Sequence, residues 1–331
     1  MMAERPPADL AIARNRQISS ITRQLIELIQ RIWRTLSAAT IADDLEGEAG
    51  AAIVAAVVAG QITAAQGAQA FVAGAMAEQG ASAIPEALLI AEAFGGIAPD
   101  GGPLETLLFL PAIGVQSRLA AGMTAEQAMI GGLADMARYA ATSVADAGRS
   151  ADQTGMTAQR GCVAYMRVVT LPACSRCIVL AGQMYSYSEG FLRHPNCDCQ
   201  TLPLREAEWA AVQTPEQLYA SMSEAERRRV FTVSGSDAID AGADVGQVVN
   251  ARRGMSVAHL YGRNLQVTSE ATTKRSIYGG RLRRAGGEFA KVSGQRYSRS
   301  TTPRLMPEEI FRIADDRDEQ LRLLRRYGYI V

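Results

Sequence analysis

Histidine occurs only twice in these 331 residues, as His194 and His259, and lysine only twice, as Lys274 and Lys291. General acid–base catalysis near neutral pH most often draws on histidine, so this scarcity leaves little material for a Ser–His type of active site. His259 is the one histidine away from the cysteines; it sits in apolar Ser256-Val-Ala-His-Leu260 with no acid beside it, and an ordinary core or surface histidine is expected. Long apolar runs are absent as well. Ala49 to Gly60 is about twelve small residues bounded by Glu48 and Gln61, short of the roughly twenty that cross a bilayer, and no membrane span is expected. No signal peptide is visible at Met1, which points away from an oxidising compartment. With lysine so rare, arginine supplies nearly all of the 34 cationic residues, a bias that suggests a GC-rich genome before any demand for guanidinium.

What the chain does hold is concentrated. Four of its five cysteines and one histidine fall together as Cys174-Ser-Arg-Cys177, then sixteen residues, then His194-Pro-Asn-Cys197-Asp-Cys199. Thiolate and imidazole are the ligands zinc prefers, and two close pairs joined by a loop let one ion cross-link two turns. Two disulfides are the main alternative, disfavoured by the compartment and by the closeness of Cys197 to Cys199. An iron–sulfur cluster would want cysteine alone at a different spacing. A catalytic zinc would need an open coordination position, whereas five candidate ligands crowd this ion, so a closed, structural site is expected. A tetrahedral shell takes four. The matched two-residue spacers favour Cys174, Cys177, His194 and Cys197, with Cys199 competing for the last position. Cys162, alone on a strand-like segment, is expected in the core.

The patterning reads as a mainly α protein. Residues 1–150 are expected to form a helical domain, 151–205 a small α+β module stapled by zinc, and 206–331 a helical, loop-rich and basic region. In the first, Ile18, Ile21, Leu25, Ile29 and Leu36 mark one helical stripe within Ala11–Leu36, and the Ala-rich stretch Ile41–Gln79 reads as two or three helices broken at Gly60 and Gly67. Further helices are expected over Ile84–Ala93, Pro103–Leu110, Gln116–Ala121 and Thr124–Ala147, the last opened by the capping box Thr124-Ala-Glu-Gln127. This half contains no His and no Cys, and its scattered acids read as a solvated face.

In the second region strands are expected at Cys162–Thr170, Gln183–Tyr187 and Gln200–Leu204, too short to bury enough surface without the ion. In the third, a helix is expected to start at Thr214-Pro-Glu-Gln217 and to continue through Ser223–Phe231, with others over Ser234–Val249, from Thr302 through Ile310, and over Glu319–Tyr327, and a loop-rich stretch beyond Gly254 to Arg304. Charge is uneven although the total is zero. Residues 1–150 carry nine arginines against fifteen acids, and residues 251–331 carry seventeen cations against eight acids.

The order of a strand, Cys-x-x-Cys, the turn Leu180-Ala-Gly182, then His194-Pro-Asn-Cys197-Asp-Cys199 and an apolar strand with proline resembles the C-terminal domain of MuF-type phage head-morphogenesis proteins. The block from Ala145-Asp-Ala-Gly-Arg149 to Pro203, with Val248-Val-Asn-Ala-Arg-Arg-Gly254 and Tyr327-Gly-Tyr-Ile330, is similar to the form found in tailed phages of actinobacteria. About half the chain carries the likeness. One departure is Asp198, where the wider family more often has arginine. The resemblance implies a minor capsid protein, made in the host cytoplasm and carried in the phage head in few copies. Its implied partners are the portal or the major capsid protein, and its implied task is assisting head assembly or DNA delivery. The basic C-terminal region would face packaged DNA without reading its sequence. No catalysis is expected. The alternative is a phage-encoded metal-dependent hydrolase, a capsid maturation protease or a nuclease, in which the same cluster would hold a catalytic ion.

Overall fold

Helices take most of the chain and the strands form small antiparallel sheets in a computed structural model that describes residues 8–188, 190, 194, 197, 199–205, 213–260, 262–291 and 293–330. Two compact units result: Met1–Pro172 with Ala181–Gln213, and Ala173–Leu180 with Thr214–Val331. Neither limit falls at 150. That expected boundary lies inside one long helix, because the apolar stripe of Met136, Ala140 and Val144 continues through Ala147, Ala151 and Met156 without a stop signal.

In the first unit, α1 (Ala8–Trp33) buries Ile18, Leu25, Ile29 and Trp33. The Ala-rich stretch becomes α2 (Ile41–Glu46), α3 (Glu48–Gln66) and α4 (Ala68–Glu78), with breaks at Gly47 and Gly67. Gly60, expected as a breaker, lies inside α3. A Cβ there would stand 3.0 Å from Val144 Cγ2, so the glycine serves close approach of two helices. The apolar run is also longer than its twelve smallest residues. Glu48–Glu78 spans 31 residues and holds an 18-residue stretch with a mean hydropathy of 1.5, long and apolar enough by length and composition to cross a membrane. Its Ile53, Val57, Val72 and Met76 are packed into the cores of this unit.

Ile84–Ala93 is not helical apart from a 3-10 turn at Ala91–Phe94. Pro85 turns Ile84 away from the helical region, and the backbone finds other partners: Gln69 accepts from Leu89 N at 2.9 Å and donates to Ala87 O at 2.9 Å. The two helices expected between 103 and 121 are one, α5 (Leu104–Ala120), which carries Pro111 in its interior and packs Leu104, Leu108, Ala112 and Val115 into the core. The next helix, α6 (Ala125–Thr157), opens on the capping box read from sequence, with Gln127 N donating to Thr124 Oγ1 at 3.2 Å.

Behind α4 and α6 lies a sheet of order β2-β1-β3, formed by β1 (Ala164–Val169), β2 (Met184–Ser186) and β3 (Cys199–Leu204), all antiparallel. Every residue of β1 and β3 is buried. The register pairs Val169 with Cys199, which sets the last cysteine at the end of the central strand.

The second unit contains α7 (Ser175–Ile178), α8 (Pro215–Ser221), α9 (Glu224–Phe231), α10 (Val233–Asp240) and α11 (Val245–Ala251). Capping boxes at Thr214 and Ser223 start α8 and α9. Ser234–Val249 is two helices, because Gly242 adopts φ +95° between them. The expected loop-rich stretch is more ordered than its Arg- and Gly-rich composition suggests. It holds β4 (Met255–Leu260), β5 (Arg263–Thr268), α12 (Ile277–Arg284), β6 (Phe289–Ala290), β7 (Arg299–Ser300) and β8 (Arg304–Leu305). In β5 exposed Gln266 separates buried Leu265 and Val267, which join Leu305, Ile310, Leu324 and Tyr329 in one core with α13 (Pro307–Ile313) and α14 (Arg317–Arg326). Arg304 is fully buried there, donating to Tyr327 O at 2.7 Å and to Gln247 Oε1 at 3.2 Å while lying 3.9 Å from the Tyr329 ring centroid.

Candidate metal centre

Cys174 and Cys177 belong to a tight turn. Cys174 precedes α7 in an extended conformation (φ −77°, ψ 157°), and its carbonyl accepts from Cys177 N at 3.0 Å and Ile178 N at 3.1 Å. The turn leaves Cys174 exposed and Cys177 buried. At the other end of the motif, Cys199 starts β3 and is wholly buried with Cys197, while His194 is partly exposed. Pro195, Asn196 and Asp198 of the motif lie outside the described residues.

None of the five cysteines is in a disulfide. Ligand atoms of Cys174, Cys177 and His194 lie within 4.8 Å of one another, as do those of Cys177, Cys197 and Cys199. Sulfurs bound at about 2.3 Å in a tetrahedral zinc shell stand roughly 3.8 Å apart, so both groups are close enough to contract onto a metal ion. They share Cys177. The four residues favoured by spacing do not form one such group: Cys197 stands with Cys199, not with Cys174 and His194. All five residues named from sequence are therefore brought into one of the two overlapping clusters, either of which could bind a metal.

Sequence reasoning passed over the arginines around this loop. Arg149 on α6 donates Nε to Cys199 O at 2.8 Å and Nη2 to Cys197 O, holding two carbonyls of the ligand loop from one planar group. Arg167, in the middle of β1 and 2 % exposed, reaches Cys197 Sγ with Nη2 at 3.7 Å. Burial alone would lower the pKa of that guanidinium, but the Cys199 and Cys197 thiolates beside it and the Tyr185 side chain more than offset burial and hold it charged. A cation next to clustered thiolates balances the negative charge they carry when metal-bound. A charged residue flanked by Tyr165, Met166, Val168 and Val169 is the signal that could have found Arg167.

The same network runs deeper. Gln200, next to Cys199, donates Nε2 to Asp152 Oδ2, and Asp152 takes Arg14 Nη2 at 2.9 Å. Arg14 in turn donates to Ala64 O at 2.6 Å. Complete burial pushes the Asp152 carboxyl above its ordinary range, against the pull of Arg14 and the hydrogen bonds from Arg14 and Gln200.

Two residues kept out of the motif on sequence grounds stand apart from both clusters. Cys162 is buried, with its Sγ 3.4 Å from Ala164 O. His259 is exposed on β4 and meets Asn264 Oδ1 at 3.1 Å. No protein-family model matches the chain, and no curated protein and no solved structure matches it either.

Proposed function

We propose that this chain is a minor capsid protein of the MuF head-morphogenesis type, in which a zinc ion held by cysteine and histidine fixes the centre of the chain and takes no part in turnover. The observation that carries the reading is the sharing of Cys177 by two groups of soft donor atoms, each spanning no more than 4.8 Å. Thiolate-rich shells quench Lewis acidity and favour a closed site, and the arginines on the Cys197 and Cys199 carbonyls and on Cys197 Sγ are the outer partners such a shell needs. Cys174, Cys177, His194, Cys197 and Cys199 would supply the ligands. Portal or capsid proteins are the proposed partners, with packaged DNA beside the basic C-terminal region, in the head of a tailed phage.

Metal analysis of the purified chain and quantitative mass spectrometry of purified particles test this together. One zinc per chain and a few copies per particle are expected. Absence of zinc overturns the site, and absence from particles overturns the role. Cys174→Ser separates structural from catalytic metal: the proposal expects a chain that loses its fold around the motif, where a catalytic ion would leave it folded and inactive.

A further inference from the structure

Cations in the second unit are held unequally. Residues 301–331 carry six arginines against six acids, whereas 271–300 carry eight lysines and arginines against Glu288 alone. In the balanced stretch cations meet carboxylates, as Arg322 meets Glu319 at 2.6 Å. In the unbalanced one, Arg281 donates to Ile330 O at 3.3 Å and Arg299 to Ser269 O at 3.1 Å, so these two serve the fold. The other six, Lys274, Arg275, Arg283, Arg284, Lys291 and Arg296, are exposed and make no ion pair or hydrogen bond among the described residues.

The fold gathers them. Strands β6 and β7 pair Phe289 with Ser300 and Ala290 with Arg299, and the chain before α12 joins their edge through the Thr273–Arg299 bridge and a bond from Ser300 N to Thr272 O at 2.9 Å. Lys274 Nζ lies 5.4 Å from the Phe289 ring centroid. At the hairpin end Tyr297 is 49 % exposed, and the Arg296 guanidinium rides over its ring at 5.3 Å. A favourable position in the last turn of α12 accounts for Arg283 and Arg284. It does not account for Lys291 and Arg296, nor for the lack of acids around them.

We infer that the β6–β7 hairpin, with α12 beside it, grips the phosphate backbone of duplex DNA without reading bases. The inference rests on the proposed function only in choosing DNA among polyanions. Each phosphate neutralised releases condensed counterions, which makes affinity fall with salt at a slope near 0.9 per contact.

The test uses the full chain and a fluorescent duplex of about 20 base pairs, read by anisotropy between roughly 50 and 200 mM salt. A slope of log K against log salt of about −4 to −5 is expected, the same for unrelated sequences. K291A/R296A should reduce its magnitude by about 2, while R228A/R322A, which removes two cations already paired with Glu224 and Glu319, should leave it unchanged. No binding at the lowest salt, or an unchanged slope in K291A/R296A, overturns the assignment. Equal affinity for vesicles containing phosphatidylglycerol also overturns it, in favour of anionic surfaces at large. The outcome is independent of particle composition: a chain missing from particles sinks the head-protein reading and leaves this binding result standing.

Discussion

Arg167 Nη2, on the central strand of its sheet, lies 3.7 Å from Cys197 Sγ, with Arg167 2 % exposed and Cys197 5 %. A guanidinium carried into an apolar strand is costly unless its charge is matched, and Cys199, Cys197 and Tyr185 beside Arg167 more than offset its burial. Arg167→Met preserves the volume and removes the charge. Outer partners of this kind contribute about 10–100-fold to metal affinity, so under the proposed zinc reading the variant loaded with zinc should lose it to a chromogenic chelator at 10–100-fold lower chelator concentration than the parent protein. Equal retention by both proteins would show that Arg167 has no bearing on the ion.

Asp152 and Arg14 form a second buried pair, 138 residues apart in sequence and with side chains 0 % and 1 % exposed. Removing one partner strands the other in a low-dielectric interior, which typically costs about 3–5 kcal/mol, whereas replacing both with apolar residues is far milder. Asp152→Leu alone should therefore lower the urea midpoint sharply, and Arg14→Met/Asp152→Leu should recover most of the loss. Additive losses in the double variant would mean the two side chains act separately.

Much of this molecule is legible in its sequence where local chemistry dictates the outcome. The boxes at Thr124 and Thr214 pin helix starts because the capping side chain and the Gln three residues on lie within one turn, whereas Ser223, read as lying within a continuing helix, opens a new one. The clustering of Cys174, Cys177, His194, Cys197 and Cys199 is legible for the same reason, since the spacing of metal-ligating side chains is local. Long-range relationships are not. Gly60 reads as a breaker until Val144 is seen against it, and Leu265 and Val267 read as loop until Leu305 and Ile310 cover them. At the candidate site, spacing cannot tell that Cys199 lies opposite Val169, because that depends on β3 pairing with β1.

Helix proximity in the first unit leads to a further expectation at Gly132. A Cβ on this α6 residue would sit 2.4 Å from Val115 Cγ2 and 2.8 Å from Trp33 Cζ2, with Trp33 anchored by its Nε1 bond to Met129 O at 3.1 Å. Alanine gains about 1 kcal/mol in helix propensity, but overpacking against a β-branched chain and an anchored indole costs about 1–3 kcal/mol. Gly132→Ala should be net destabilising in thermal unfolding, and adding Val115→Ala should restore part of the loss. A stabilised single variant would mean that α5 and α6 can move apart freely.

Cys162 tests how dry the floor of the sheet is. Burial, opposed by weaker hydrogen bonds to Leu204 and Ala164, pushes its thiol up to about 11. At pH 8 the thiolate is then about one part in a thousand, and iodoacetamide should leave Cys162 unlabelled in the native protein while labelling it readily in urea. The same shift carries a sign for stability. An unfolded thiol ionises near 8.5 and the folded one near 11, so the preference for the native state is whole below the first value and drains away as pH rises through the second, by roughly 3 kcal/mol in all. Cys162→Ala has no such titration. The stability difference between parent and variant should therefore shrink between pH 9 and about 11 in urea unfolding, and a difference that stays flat or grows would place the thiol in a wetter setting than its burial describes.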